Sequence, residues 1–441
     1  MKNILNDSLF KNGIYIFIFS MSANFFNYLF QIAMGRLLTV SEYGTLNSLF
    51  SILLIISVPA GTITIIAAKN ISHNLAISEF NKVKKFIKSI ALKVLFFGFL
   101  ILAVYFILIP HLMNFMKINV FLYFAILGAV LLISFFFSLI LGILQGSKKY
   151  SLYGFVGSIS SAGKLVIAVI LVLFGLNIAG ALLSTLITQV AVSFVTLIFI
   201  YNYFKKIGLE QVLGENNDET SEYVLTIKYF LLVLFSLFFY TFFTNIDLIM
   251  VKHFFSSKEA GIYAVSALLG KIILYLPASF AVVMFPEVSH AHALNNKTKR
   301  ILLKTIFITI LLCFFGEIFY IFFPNFIISV LMGSKYSEAS SLLSLYGLSM
   351  FSFAIVSIMV NYYMAVQKYF FVFLMFLFAI LEVVLISLFH QTLASVVYCV
   401  MVTGYILAVA SLINIFYYDF ILWYKKIMYF MYHIGGKTTN D

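Results

Sequence analysis

Long apolar runs, each near the length of a membrane span and separated by short polar turns, recur along this whole chain. A helix needs ~20 apolar residues to cross a ~30 Å hydrocarbon core, and about twelve stretches meet that length. They fall at about Asn12 to Met34, Leu46 to Ala68, Ile90 to Ile109, Val120 to Gly142, Gly154 to Gly175 and Asn177 to Phe204. A second set follows at about Thr226 to Val251, Gly261 to Phe285, Ile301 to Phe323, Ser340 to Tyr363, Phe370 to Phe389 and Thr392 to Phe416. Backbone polar groups in lipid must be satisfied within the segment, so the pattern predicts an all-α polytopic membrane protein. Pro59 and Gly61 interrupt the second run, and a kink is expected there.

Polar residues inside these runs mark the faces that do not look at lipid. Asn24, Asn27 and Gln31 fall at i, i+3 and i+7, which puts three amides on one side of the first helix. In the fifth run Gly157, Ser160, Ser161 and Lys164 share a face. Close helix packing suffices to explain the glycine and the serines. It does not require Lys164. A charge at mid-span costs roughly 3 kcal/mol on insertion scales, so such groups are expected to face a bundle interior or a wet cavity. The stretch from Tyr240 to Lys271 holds two of them, Asp247 and Lys271. Asp247 is read on one helical face with Tyr240 and Thr244, where it either takes up a cation or pairs with Lys271. Ser266, Gly270 and Tyr275 give Lys271 polar surroundings. Glu317 and Glu382 are further acids within spans, and Arg36 at the outer end of the first span lies near enough to water to snorkel.

The chain also repeats itself. A shift of about 217 residues sets Gly44 on Gly261, Glu42 on Glu259 and Ser72-His73 on Ser289-His290. Near the same shift Pro59 meets Pro277, Lys149-Tyr150 meets Lys368-Tyr369, and Lys164 meets Glu382. Six spans separate the matches, so the halves share an orientation and are related by an axis along the membrane normal. The organisation expected is a six-helix lobe over 1–204, a cytoplasmic linker over 205–225, a second six-helix lobe over 226–417 and a cytoplasmic tail over 418–441. Substrate sites often lie between such halves, which places spans one and two opposite spans seven and eight around a central cavity. The opposite charges of Lys164 and Glu382 admit a plain alternative, mutual neutralisation.

Composition agrees and narrows the function. The 441 residues are 63% hydrophobic and 10% charged, too few polar groups to cover a soluble globule of that size. The net charge of +12 raises nucleic acid as a partner, but the basic residues lie on alternate loops. That is the positive-inside pattern, with roughly twenty Lys and Arg on one set of loops and about five on the other, and it puts both termini in the cytoplasm. Lys69 to Lys88 is basic and amphipathic, suited to a solvated loop helix or to an anionic membrane surface. The two cysteines, Cys313 and Cys399, lie in apolar runs, and neither they nor the histidines form a metal-ligand spacing, so no metal and no cofactor is expected. The first run is too long for a signal-peptide core, so no cleavage is expected. No outer loop exceeds ~15 residues, which leaves little room for the catalytic loop of a membrane glycosyltransferase or polymerase.

Three stretches carry a resemblance: Phe30 through Ile56; Thr244-Asn245-Ile246-Asp247 with Glu259-Ala260-Gly261-Ile262-Tyr263; and Leu144-Gln145-Gly146. They resemble the polysaccharide-biosynthesis exporters, the O-antigen (Wzx-type) flippases of the multidrug/oligosaccharidyl-lipid/polysaccharide (MOP) superfamily, over about Lys11 to Lys426. The resemblance implies a two-lobed, twelve-span bundle in the bacterial inner membrane that is no enzyme. Such a protein moves an oligosaccharide on an undecaprenyl pyrophosphate carrier across the membrane by alternating access. It implies a cationic cavity, for which Lys271, Lys164 and Arg36 are the cations, with Asn24, Asn27, Gln31 and Tyr275 beside them. Asp247, Glu382 and Glu317 are the candidates for coupling to H⁺ or Na⁺. Partners implied are the lipid-linked oligosaccharide and the polymerase and chain-length machinery of the same pathway. The two extra C-terminal spans usual in lipid II flippases are not read in this sequence. A cation-coupled drug exporter of the same superfamily is the alternative, disfavoured because cavity cations repel a cationic drug.

Overall fold

The computed structural model describes residues 8–77, 79–206, 227–294 and 298–435. Most of the expected linker, from 207 to its end at 225, lies outside the described residues, as does the end of the tail. The described residues are almost wholly helical. We number the helices α1 (Ser8–Leu37), α2 (Val40–Ile56), α3 (Val58–Ala76), α4 (Phe80–Met116), α5 (Phe121–Gly146), α6 (Tyr150–Leu171) and α7 (Asn177–Lys206). There follow α8 (Ile227–Phe243), α9 (Ile246–Phe254), α10 (Ser257–Tyr275), α11 (Ala278–Ala293), α12 (Thr298–Phe322), α13 (Pro324–Leu331), α14 (Ser340–Ala365), α15 (Phe370–Leu388) and α16 (Leu393–Gly435). The last helix runs on well past the end of the expected span.

By length and composition eight helices among the described residues are able to cross a membrane, or ten if each of two bent pairs is one span. Residues 150–203 count there as one helix, yet α6 and α7 pack on each other: a methyl at Gly163 would sit 2.9 Å from Thr188 Cγ2. A straight helix cannot touch itself in this way. The chain turns at a π-helical stretch, Val172–Leu176, where Gly175 adopts φ 85° and Asn177 φ 42°. Glycine enters that left-handed region without a Cβ penalty. With α6 and α7 as two spans and α1 as another, the expected twelve are present. Large apolar side chains such as Ile107, Phe174 and Phe322 stand exposed on the helices, as a lipid-facing surface requires.

The duplicated positions turn out to be the scaffold. The α2–α3 pair bends by 42° next to Pro59, and the α10–α11 pair bends by 43° at Pro277. Proline removes a backbone donor and clashes with the preceding turn, so repeat-matched prolines give matched kinks. Glu42 closes a capping box with Thr39 at the start of α2, and Glu259 does the same with Ser256 at the start of α10. Gly44 and Gly261 pack against each other: a methyl on Gly44 would lie 2.7 Å from the Ser257 carbonyl oxygen and 2.8 Å from the Ala260 carbonyl carbon. Contact between repeat-equivalent residues is what a local two-fold produces where its axis passes.

Two compact units result. The first comprises the described residues up to Leu268 together with Phe323–Leu342, and the second comprises Leu269–Phe322 with those from Leu343 onward. In the first, α1 lies along α6, α3 along α5, and α7 packs on both α5 and α6. At one end of this unit two helix C-termini are tied together. Arg36 donates to the carbonyls of Val330 and Leu331 at the end of α13, while Lys335 donates to those of Arg36 and Leu38 at the end of α1. Cations suit the negative pole of a helix. In the second unit α15 packs along α16 and α11 on α12, and the Tyr363 hydroxyl on α14 donates to the Ser411 carbonyl on α16 at 2.8 Å.

Candidate functional site

The first unit holds a cavity of about 300 Å³ bounded by α1, α5, α6 and α7. The sequence of α6 explains why the helices meet on one face and part on the next. Gly154 and Ser158 take the contact with α1, where a methyl at Gly154 would sit 2.6 Å from Phe19 Cβ and Ser158 Oγ donates to the Phe19 carbonyl at 2.7 Å. Small residues at a crossing let the backbones approach. Gly157, Ser160, Ser161 and Lys164 instead line the cavity, and a Cβ at Gly157 would meet nothing within 4 Å. The face was legible in the sequence; the closest approach to α1 is made by the neighbouring face, at Gly154 and Ser158.

Lys164 is half-buried. Its ammonium donates to Asn27 Oδ1 on α1 at 3.1 Å and stands 4.1 Å from the Phe30 ring centroid and 5.7 Å from that of Phe50. Asn27 is itself held, since its Nδ2 donates to Ser161 Oγ at 3.1 Å, and Ser161 donates to the Gly157 carbonyl. Both ends of the amide are used, which fixes the oxygen toward the lysine. Aromatic faces attract a cation electrostatically. Among the described residues of this unit no carboxylate lies within ion-pairing distance of Lys164. The partners found are an amide and two rings, not an acid.

The far wall is α7, with Thr185, Thr188 and Gln189. Thr188 Oγ1 donates to the Ser184 carbonyl at 2.6 Å, and the Gln189 amide lies 3.2 Å from Ser134 Oγ on α5, whose hydroxyl also reaches the Val130 carbonyl at 2.7 Å. The Thr185 hydroxyl is buried with no hydrogen-bond partner in the described chain. Sequence reasoning passed over these three, although their i, i+3, i+4 spacing in a long apolar run is the same kind of signal as the amides of α1. Phe30 and Phe50 carried no signal, because an aromatic in a membrane span reads as lipid-facing or packed.

Of the other candidates in this unit, Asn24 is exposed and lies off the cavity, and Gln31 accepts from the Tyr43 hydroxyl at 3.3 Å. Arg36 is exposed and occupied as the helix cap described above. Asp247 is fully buried, and the Tyr263 hydroxyl donates to its Oδ2 at 2.8 Å. The helical register expected for Tyr240, Thr244 and Asp247 is interrupted at Thr244–Asn245, where α8 gives way to α9 within one span, Phe230–Phe254. Thr244 and Asn245 turn their side chains back on the carbonyls of Tyr240 and Thr241, a local competition that ends helices. Asp247 then starts a new helix, in the first turn of α9, where negative charge is favoured.

In the second unit Lys271 is half-buried on α10 and Tyr275, one turn on, is 55% exposed. Glu317 on α12 is 3% exposed, and neither carboxyl oxygen has a hydrogen-bond partner among the described residues. It lies against α14, where a methyl at Gly347 would collide with the carboxyl group. Glu382 is fully buried on α15. Among the described residues no cluster of three His, Cys, Asp or Glu is arranged to hold a metal, and both cysteines are free and buried.

Against this geometry the known proteins can be compared. A family model described as polysaccharide biosynthesis protein matches residues 33–341, well over half of the chain. The chain belongs to that family. The chain is 26% identical, over 325 residues, to an uncharacterized membrane protein, MJ1375, of Methanocaldococcus jannaschii, across 70% of this chain and 76% of the relative. Its fold is that of the MOP superfamily. A multidrug resistance MATE family transporter in an inward-facing conformation matches with a TM-score of 0.71 at 13% identity, over 88% of this chain and 92% of that one. The lipid II flippase MurJ in an inward closed conformation matches with a TM-score of 0.65 at 15% identity, over 97% and 94%. A MOP superfamily transporter from Pyrococcus furiosus, described as having a binding pocket of reverse polarity, matches with a TM-score of 0.59 at 14% identity, over 91% and 94%.

Proposed function

We propose that this member of the polysaccharide biosynthesis family is a flippase for oligosaccharide repeat units carried on undecaprenyl pyrophosphate. It takes them from the cytoplasmic to the outer leaflet of the inner membrane by alternating access. The observation that carries this reading is the cavity cation. Among the described residues Lys164 has an amide and two rings for partners in a polar cavity of a membrane protein, an arrangement suited to an anionic substrate and hostile to a cationic one. Lys271 and Tyr275 are proposed to extend the contact to the pyrophosphate or an acidic glycan. Asp247, Glu317 and Glu382, all buried acids, are the groups proposed to couple movement to H⁺ or Na⁺. On this reading both termini lie in the cytoplasm, and the polymerase and chain-length machinery of the same pathway are its partners.

The reading is tested with purified protein in proteoliposomes given either a fluorescent undecaprenyl-pyrophosphate oligosaccharide or a cationic dye. Movement of the lipid-linked sugar alone is expected. Movement of the dye alone would hand the protein to the drug-exporter reading, which the MATE-like fold admits. For Lys271, loss of a charge-assisted hydrogen bond contributes roughly 1.5 to 3 kcal/mol, so Lys271→Ala should weaken transport about tenfold to a hundredfold while Lys271→Arg retains part of it. If Asp247→Asn restores both abundance and transport to Lys271→Ala, the pair is structural and Lys271 touches no substrate.

A further inference from the structure

A second, smaller cavity lies at the start of α6, where α5 stops at Gly146 and the chain turns through Ser147, Lys148 and Lys149. It shares no residue with the Lys164 cavity. Its walls are apolar: Ile143 and Leu144 from α5, Leu152 from α6, and Phe199 and Ile200 from α7. The side chains of Ser147, Lys149 and Tyr203 complete it. The Lys149 ammonium stands over the Tyr203 ring, 4.2 Å from its centroid, which holds the charge in place without cancelling it. Lys149 also precedes the first turn of α6, which has no side-chain cap. The N–H groups of such a turn carry partial positive charge and favour an anion. Ser147 is 8% exposed, and its hydroxyl has no hydrogen-bond partner among the described residues. A buried hydroxyl left unpaired is costly, so it points to a group that the chain itself does not supply.

The surroundings decide what kind of anion. Val83 and Phe86, near the start of α4, pack in the same core as Ile143, Leu144 and Ile200, so the basic first turns of α4 lie beside this cavity. Lys84, Lys88, Lys148, Lys149 and Lys205 are exposed at this end. Among the described residues of the unit the one carboxylate here, Glu79, is paired with Lys82 at 3.0 Å. Apolar surface adjoins the charge: Phe199 is 56% exposed, and α6 and α7 carry further exposed apolar side chains, Phe155, Phe194 and Val195 among them. A soluble anion gains nothing from such walls. A lipid satisfies both parts of the site, its phosphate meeting the cation and its methylenes meeting the apolar side chains. The cavity's volume of about 220 Å³ equals that of about seven waters at ~30 Å³ each. That suffices for a phosphate group and the first atoms of its chains, while the acyl tails stay in the membrane.

We propose that this cavity binds the headgroup of one anionic phospholipid, with Lys149 and the first turn of α6 on its phosphate, the Ser147 hydroxyl as a further donor, and its acyl chains along the apolar side chains of α6 and α7. The site serves a lipid of the surrounding membrane and not the transported molecule, so it stands whatever the transporter carries. On the topology proposed above the lipid belongs to the cytoplasmic leaflet, whose surface is anionic. Bound there, it fastens together the end of α5, the start of α6 and, through Tyr203, the end of α7.

The test reads lipid contact at the site itself. The one native tryptophan is removed by Trp423→Phe, and Phe199→Trp places a reporter in the cavity wall. The full chain is reconstituted in phosphatidylcholine vesicles that contain either brominated phosphatidylglycerol or brominated phosphatidylcholine, both of which quench tryptophan on contact. Stronger quenching by phosphatidylglycerol is expected, corresponding to a preference of about fivefold, what one basic group contributes at an anionic lipid surface. Lys149→Met should abolish the preference, Lys149→Arg should keep it, and Ser147→Ala should lower it about twofold. Lys84→Met removes the same charge from the same end and should leave it unchanged. A reporter at Phe314→Trp on α12, where the native side chain is 55% exposed, should show no preference. Equal quenching by the two lipids at Phe199→Trp overturns the proposal without any further variant. Equal losses in Lys84→Met and Lys149→Met overturn it too, because they would mean diffuse attraction to a basic surface. If excess inorganic phosphate removes the preference, the site takes a soluble anion and the lipid assignment falls.

Discussion

Lys164 on α6 and Glu382 on α15 occupy matching places in the duplicated sequence, yet they carry opposite charge in unlike surroundings. Lys164 is half-buried at the wall of a cavity, with partners that do not cancel its charge. Glu382 is fully buried. Elsewhere the two halves agree: the matched prolines give bends of 42° and 43°, the matched glutamates close capping boxes, and the matched glycines touch. The lesson is that agreement between the halves marks the scaffold. Divergence between them is where we place the proposed chemistry.

Reversing the two charges tests that contrast most severely. Glu382→Lys puts a long cation where there is no room, and leaving a buried ion without its partners costs ~3–5 kcal/mol. Folded protein, followed by fluorescence-detected size exclusion, should nearly vanish. Lys164→Glu should keep normal abundance, because the cavity admits water, while glycan export falls more than about a hundredfold with the cavity's sign reversed. Equal abundance of the two variants would erase the difference between the sites.

A second test addresses the scaffold. Gly44→Val and Gly261→Val each force side-chain atoms into the same backbone contact, and overpacking costs ~1–3 kcal/mol or more. Both should lower the melting temperature by a similar amount. A strong effect at one glycine and none at the other would deny that they share a contact. A smaller change is expected of Phe30→Leu, which removes ~0.5–1 kcal/mol of ring–cation attraction and should weaken anion binding about two- to fivefold without changing abundance. Smallest of all, Glu42→Ala and Glu259→Ala each remove a capping-box acceptor and an acid at a helix start, worth ~0.3–1 kcal/mol, and should cost stability in equal measure while sparing transport. Loss of transport in stable capping variants would return that duplicated frame to the functional side.

The architecture was legible because lipid imposes one rule on every span: twenty apolar residues and a helix. The kink at Pro59 and the polar face of α6 followed from the same reading; the kink at Pro277 was not read, although the repeat matches the two prolines. What the duplicated frame around Glu42 and Glu259 does was not legible. An acid at a span end looks the same whether it caps a helix or meets a substrate, and only the Thr39 and Ser256 hydroxyls facing them settle the matter. The interruption before Asp247 went unread for a related reason, since helical periodicity was carried across Thr244 and Asn245, whose side chains bond back to the preceding turn. The α7 wall went unread because threonines pass easily for packing residues in a membrane helix. Arg36 and Lys335 lie almost three hundred residues apart, and no local pattern announces that each caps the other's helix.

The central claim is that the Lys164 charge acts on the transported molecule. Its most direct test is the rate at which a labelled undecaprenyl-pyrophosphate oligosaccharide crosses the bilayer of proteoliposomes, with wild type, Lys164→Arg and Lys164→Ala reconstituted in equal amounts. The account predicts partial activity for arginine and a loss of about tenfold to a hundredfold for alanine. An unchanged rate with alanine at equal protein would contradict it.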